Sequence, residues 1–231
     1  MARTQRSPVT AGSVVLLHGL GRTGASMSSL AGFLHAAGME TVVINYPSRG
    51  DHLKALADGV AAEIAERARS DSPLSFVTHS MGGIVLRQMV ADGLVRVHRA
   101  VMLAPPNHGS EVVNVLRHVP SVTSLMGPAF LQLAAGTDGS SAWINGLPMA
   151  DFEVGVIAGR RWTPFFSPLL PAAGDGKVTI SATHVEGMAG HRVVNTGHTW
   201  IMRDRHVQAQ TLSFLQNGRF LQLDGADREP G

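Results

Sequence analysis

LSFVTHSMGGIVLRQMV, residues 74–90, is the stretch whose reading decides the fold. An apolar, β-rich run ends at Ser80, and a helical pattern begins beyond Gly82 and Gly83. A strand that turns directly into a helix holds its corner residue in a strained backbone, and small neighbours let strand and helix approach. Gly82 supplies one such neighbour; the matching position of the G-x-S-x-G pattern is Thr78, a departure from glycine. The plain alternative at this point is an ordinary turn serine.

Outward from that corner the same alternation repeats. SVVLL (13–17) reads as a strand buried on both faces, followed by the loop HGLGRTG (18–24) and a helix over 27–37 stopped by Gly38. TVVINY (41–46) is a second strand, and a helix of about 53–69 leads back to strand 74–79. Helix 83–92, strand 99–105, strand 152–159, strand 191–196 and an amphipathic helix of about 203–217 complete the series. Strands separated by helices predict βαβ units and a mostly parallel sheet of about six strands with helices on both faces. Residues 106–150 break the rhythm: they are apolar but punctuated by Pro120, Gly127, Pro128 and Gly136, which predicts short helices forming either core cover or a small cap. The tail from about 223 reads as disordered.

At 231 residues, 44% hydrophobic and 16% charged, the chain is sized for a single domain over 1–231 with a large core. A formal net charge of +2 without a basic tract argues against nucleic acid as a partner. No cysteine is present, which removes disulfide and thiol chemistry. The opening MARTQRSPVTAG is polar, with no long apolar span, so the expectation is a cytoplasmic protein without stable membrane insertion.

Gly19, Gly21 and Gly24 form a G-x-G-x-x-G after a strand and before a helix, the setting of a dinucleotide fingerprint. That fingerprint wants an acidic side chain at the carboxyl end of the second strand. Asn45 and Tyr46 stand there instead, and Glu40 lies at the wrong end. A dinucleotide-dependent oxidoreductase therefore stays a minor alternative.

Ligand chemistry in an open parallel sheet happens beyond the carboxyl ends of the strands. His18 and Leu20, Ser80, Asp175 and His198 all follow strands. A serine hydroxyl needs an imidazole to take its proton and a carboxylate to orient that imidazole. Ser80, Asp175 and His198 supply those groups in the order nucleophile, acid, base. His198 is preferred among the 11 histidines because the polar loop Thr196–Gly197 and Thr199 surrounds it just after a strand. His18 reads as a brace for its loop, and His79 should face away from the Ser80 hydroxyl because side chains alternate along a strand. Asp151 precedes a strand and so belongs to the sheet's other end, which favours Asp175. Backbone N–H groups of Leu20 and Met81 are placed to receive a developing oxyanion. No HExxH or close His/Asp cluster predicts a metal.

With these residues in hand, the chain resembles the α/β-hydrolase family, and within it small bacterial lipases and esterases. The resemblance rests on VVLLHGLG (14–21), THSMGG (78–83), LAPPNHGSE (103–111), GDGKV (174–178) and TGHT (196–199), in that order along nearly the whole chain. It implies an α/β-hydrolase fold, a carboxylic ester hydrolase with Ser80, Asp175 and His198 as triad, Leu20 and Met81 as oxyanion-hole amides, and no cofactor. The implied substrate is a small ester or lipid, with His18, Leu125, Met126, Phe165 and Phe166 as candidate contacts. A non-catalytic ligand-binding member of the same fold is the alternative from another class.

Overall fold

The apolar runs form one six-stranded sheet in the computed structural model, which describes residues 13–68, 73–136 and 143–222. Strands β1 (Val14–Leu17), β2 (Thr41–Ile44), β3 (Leu74–His79), β4 (Val97–Leu103), β5 (Glu153–Gly159) and β6 (Gly190–Val194) lie in the order β2-β1-β3-β4-β5-β6. Every neighbouring pair is parallel.

Successive side chains of a strand point to opposite faces, and here both faces are covered. Val14 and Leu16 share a buried cluster with Leu30 and Leu34 of α1 (Ser28–Ala36) and Phe214 of α7 (Arg205–Asn217). Val15 and Leu17 share another with Val60 and Ile64 of α2 (Leu53–Arg67) and Ile84 of α3 (Met81–Ala91). Two covered faces are why VVLL and LSFVTH are apolar without a break, and every residue of both strands is buried. Truncating a fully buried ring such as Phe76 or Phe214 to alanine would cost about 3–5 kcal/mol.

The chain order reverses around β1, which has β2 on one side and β3 on the other. Leu17 pairs with Thr78, so the loop after β1 and the corner after β3 leave the sheet side by side. A crevice at such a reversal is where ligands bind in open α/β sheets.

Several boundaries differ from the sequence expectation, each for a physical reason. Helix α3 starts at Met81, so Gly82 and Gly83 sit inside its first turn. β2 ends at Ile44, because Tyr46 leaves the strand to stack on His18, ring centroids 4.3 Å apart. The last helix starts at Arg205, since Asp204 caps it by accepting from His206 N and Val207 N; residues His198–Arg203 form a separate 3₁₀ turn.

Within 106–150 lie α4 (Glu111–Leu116), α5 (Pro120–Met126) and α6 (Pro128–Gln132). Proline opens both α5 and α6, where its missing N–H costs nothing. The expected tail from about 223 and the opening 1–12 lie outside the described residues. Among the described residues no helix is long and apolar enough to cross a membrane.

Candidate active site

Ser80 forms the corner between β3 and α3 with φ 52° and ψ −125°. Such a backbone costs a non-glycine residue about 1–3 kcal/mol and persists only where its surroundings over-determine it. Its N–H donates to Leu103 O at 2.8 Å, which ties the corner to β4. A Cβ at Gly82 would stand 2.9 Å from the carbonyl oxygens of Leu17 and His18, so only glycine lets α3 approach the end of β1. A Cβ at Gly83 would lie 3.1 Å from Pro105 and 3.3 Å from Thr78 Oγ1. Gly83 thus leaves the space beside which the Thr78 side chain fits. Thr78 is fully buried, and its hydroxyl has no hydrogen-bond partner among the described residues.

Three side chains meet above this corner. His198 Nδ1 lies 2.8 Å from Asp175 Oδ2, and His198 Nε2 lies 2.9 Å from Ser80 Oγ. A carboxylate accepts only, so Nδ1 carries the hydrogen and donates it. In the neutral ring Nε2 is then bare, and the Ser80 hydroxyl donates to it. The other carboxylate oxygen, Asp175 Oδ1, accepts from Lys177 N at 3.0 Å and Val178 N at 2.9 Å. Asp175 and His198 are 1% and 6% exposed, so this chain of bonds runs largely out of water.

The backbone of His198 is held at both ends. Its N–H donates to Asp175 O at 3.0 Å, and its carbonyl accepts from His79 Nε2–H at 3.0 Å. His79 lines the cleft beside Ser80 but makes no hydrogen bond to its hydroxyl; what its sequence position gave no sign of is this bond to a loop 119 residues away. Donation by Nε2 leaves Nδ1 bare, and it has no partner among the described residues. Burial, with the neighbouring His198 adding to it, pushes the His79 imidazole well below the usual histidine range, so it stays neutral.

The loop after β1 is braced from beneath. Tyr46 N–H donates to His18 Nε2, so His18 Nδ1–H is the donor to Gly19 O. The Tyr46 hydroxyl donates to His18 O, and burial raises the Tyr46 pKa. Above that brace, the Leu20 N–H makes no hydrogen bond among the described residues. The Met81 N–H, at the first position of α3, has no acceptor within its own helix.

A cleft of about 260 Å³ opens over these groups. Ser80, His198 and Leu20 line its floor; Val112, Leu116, Met126 and Phe130 of α4–α6 line its roof. Of the expected substrate contacts, Met126 and Phe166 line this cleft. His18 does not: it is 0% exposed and stacked on Tyr46, beneath the floor. Leu125, 60% exposed, lies outside the lining, because neighbours on a helix diverge by about 100° and Met126 takes the inward place. Phe165, 83% exposed, lines an adjacent cavity of about 500 Å³ that shares Phe166, Lys177 and His198 with the cleft.

Two buttresses were not evident from sequence. Ser110 Oγ donates to Lys177 O at 2.7 Å, so LAPPNHGSE supports the loop that carries Asp175. Arg87 of α3 donates to Leu147 O at 3.0 Å and Pro148 O at 3.3 Å, joining the helix behind Ser80 to the far end of the cap segment. Burial lowers the Arg87 pKa to about 10, which still leaves it charged. A long arginine on a buried helix face is the available signal, though nothing local names its partner.

The glycine fingerprint serves this architecture rather than a pyrophosphate. Gly21 N–H donates to Ser48 Oγ and Gly24 N–H to Asn45 Oδ1, so donors that a phosphate would need are already engaged. Among the described residues no group of three or more His, Asp or Glu side chains could hold a metal ion.

The profile of a family described as Alpha/beta hydrolase family matches residues 14–227. No curated protein matches the sequence. Among solved structures, the chain is similar to the mature form of the Bacillus licheniformis lipase BlEst2, with TM-score 0.77 and 16% identity over 93% of this chain and 96% of that one. It is similar to the metagenomic carboxyl esterase MGS0156, TM-score 0.63 and 20% identity over 84% and 68% of the two chains. It is also similar to phospholipase PlaB from Legionella pneumophila, TM-score 0.59 and 22% identity over 74% and 45%. At these identities the likeness is one of fold.

Proposed function

The chain belongs to the alpha/beta hydrolase family, and we propose that within it the protein is a serine hydrolase of carboxylic esters. The observation that carries this reading is the continuous bond from Ser80 Oγ through His198 to Asp175. Ser80 Oγ attacks the ester carbonyl while His198 Nε2 takes its proton. Asp175 holds Nδ1–H and stabilises the imidazolium that forms. The carbonyl oxygen becomes an oxyanion received by the Leu20 and Met81 N–H groups, each such donor lowering the barrier by about 3–4 kcal/mol. His198 then protonates the departing alcohol, and water repeats the sequence on the acyl-enzyme to free the acid.

The segment 106–150 acts as the cap over this cleft, with Val112, Leu116, Met126 and Phe130 facing an apolar part of the substrate. A fluorophosphonate probe tests nucleophile, base and access together: stoichiometric labelling of Ser80 is expected, lost in Ser80→Ala. The same variant should turn over none of a panel of p-nitrophenyl esters. Retained turnover in Ser80→Ala would sink the assignment, and an unlabelled wild-type protein would point to a binding member of the fold.

A further inference from the structure

Among the described residues, the cleft over Ser80 is lined by three cationic side chains, Arg22, Arg49 and Lys177, and by no aspartate or glutamate. No ion pair to a carboxylate is recorded for any of the three among the described residues. Among the described residues the carboxylate whose charge acts on Lys177 is that of Asp175, and both its oxygens are already bonded, to His198 and to the backbone of Lys177 and Val178.

The cations are also gathered from separate parts of the chain. Arg22 comes from the loop after β1, Arg49 from the loop after β2, and Lys177 from the loop carrying Asp175. The Arg22 guanidinium lies 5.3 Å from the centre of the Trp200 ring, which Arg203 also approaches, at 4.4 Å. Arg22 Nε is buried and makes no hydrogen bond among the described residues. Arg49 packs its guanidinium against Gly21, where a Cβ would meet Nη2 at 2.8 Å. Lys177 Nζ lies 5.8 Å from the centre of the Phe166 ring.

Like charges gathered from three loops, two of them half-buried (Arg22 and Lys177) with the exposed Arg49 beside them and without a described acid to offset them, destabilise a fold unless a ligand supplies the counter-charge. Burial lowers the pKa of Arg22, with Arg203 adding to it. Burial also lowers that of Lys177, against the pull of Asp175 and with Arg22 adding to the lowering.

Resting on the ester-hydrolase reading above, we propose that the substrate is an ester that itself carries an anionic group, phosphate or carboxylate, held by Arg22, Arg49 and Lys177 beside the scissile carbonyl. The apolar roof takes the hydrocarbon part, and the basic wall takes the charge. The same wall concentrates anionic esters at the cleft mouth, an effect that added salt weakens.

Two matched pairs of esters test this and locate the charge. Mono-p-nitrophenyl glutarate against p-nitrophenyl pentanoate places a carboxylate on the acyl side. A 1-acylglycerol 3-phosphate against the corresponding 1-acylglycerol places a phosphate on the alcohol side. Rates in Ser80→Ala are subtracted as background. Hydrogen bonds to charged groups predict about 10- to 100-fold higher kcat/KM for the anionic member of at least one pair at low salt. Arg22→Gln and Lys177→Gln should each lower the anionic-to-neutral ratio severalfold. Because the ratio is taken within one preparation, loss of folded protein cancels. Ser80-dependent turnover with no preference for either anion in the wild type overturns the proposal alone. So does a wild-type ratio that survives in both variants. Absence of Ser80-dependent turnover with all four esters overturns the hydrolase reading and this proposal with it.

Discussion

The floor and the roof of the cleft are built in different ways. Leu17 and Met81 beneath the floor, and His79 in its lining, are 0–1% exposed and continuous with the sheet's core. In the roof, α5 buries no residue at all, and Val115 and Val119 are 48% and 40% exposed. On either side of α5, α4 and α6 are anchored, with Val113, Ala129, Phe130 and Leu133 in the core, the bridge between Ser110 and Ala134, the contact of Gly127 with Arg49, and the bond from Leu53 N to Gln132 Oε1 at 2.7 Å. A group packed on all sides keeps its place to a fraction of an ångström, which bond-making chemistry needs. A roof whose middle helix, α5, buries nothing can follow the shape of what it covers. Floor changes should therefore appear in kcat, and roof changes in KM and substrate preference.

The largest effect expected is from Asp175→Asn. The asparagine Oδ1 can keep the bonds from Lys177 N and Val178 N, so the loop should stay folded. Its Nδ2, however, donates toward His198 Nδ1 and forces the hydrogen onto Nε2, where Ser80 needs an acceptor. A fall in kcat of about 10⁴-fold with Tm nearly unchanged is expected, the size that a wrong imidazole tautomer produces. A fall below tenfold would mean that the floor does not depend on this bond.

His79 comes next. His79→Phe leaves the His198 carbonyl buried without its donor, at a cost of about 1–3 kcal/mol, and frees one end of the histidine loop. We expect kcat to fall about 10- to 100-fold, since small misplacements of a base are costly. His79→Gln, which keeps a side-chain N–H, should recover part of that loss. Equal defects in both variants would show that the ring's volume matters rather than its bond.

These two residues also mark how far the sequence alone could be read. The strands were legible because burial on both faces leaves an unbroken apolar run, as in 14–17 and 74–79. The positions of Ser80, Asp175 and His198 after strands were legible because parallel strands send all their carboxyl ends to one side. The His79 bond, the Arg87 tie and the fit of Thr78 beside Gly83 were not. Each depends on a partner fixed by packing, and no periodicity encodes which atoms packing brings together. The roof was legible only as short helices. Which side of α5 turns inward is set by its packing, and Met126 rather than Leu125 reaches the cleft.

Gly127→Ala tests the roof directly. Gly127 has φ 78° and ψ 179°, a region that only glycine occupies readily, and an added Cβ would stand 1.9 Å from Arg49 O. The variant should lose about 1–3 kcal/mol of stability as the α5–α6 turn lifts from the loop bearing Arg49. KM for long-chain esters should rise severalfold, while kcat for the shortest ester in the panel changes less than twofold. A kcat loss as large as that of His79→Phe would erase the distinction between floor and roof.

The smallest effect concerns a site away from both. His191, near the amino end of edge strand β6, has its Nε2 2.9 Å from Thr183 Oγ1 and its ring 4.2 Å from that of His184. Burial, with His184 adding to it, lowers its pKa to about 4. In the unfolded chain the value returns to about 6.5, so between roughly pH 6.5 and 4 the unfolded state binds more protons than the folded one. The stabilisation is therefore fully present above pH 6.5 and is lost as pH falls toward 4. Because the ring is partly open to solvent, about 1 kcal/mol is the expected size of that loss. Urea titrations at pH 7 and pH 4.5 should show a smaller drop in His191→Gln than in the wild type. His18 and His79, whose pKa values are lowered too, leave part of the acid sensitivity in place. Over the same range the kcat of the molecules still folded should be the same in variant and wild type, because a cooperative domain keeps its floor intact until it unfolds as a whole. A change in kcat that tracks the His191 titration would mean that the floor softens before the fold does, and that its rigidity is borrowed from the sheet edge rather than from the core beneath Ser80.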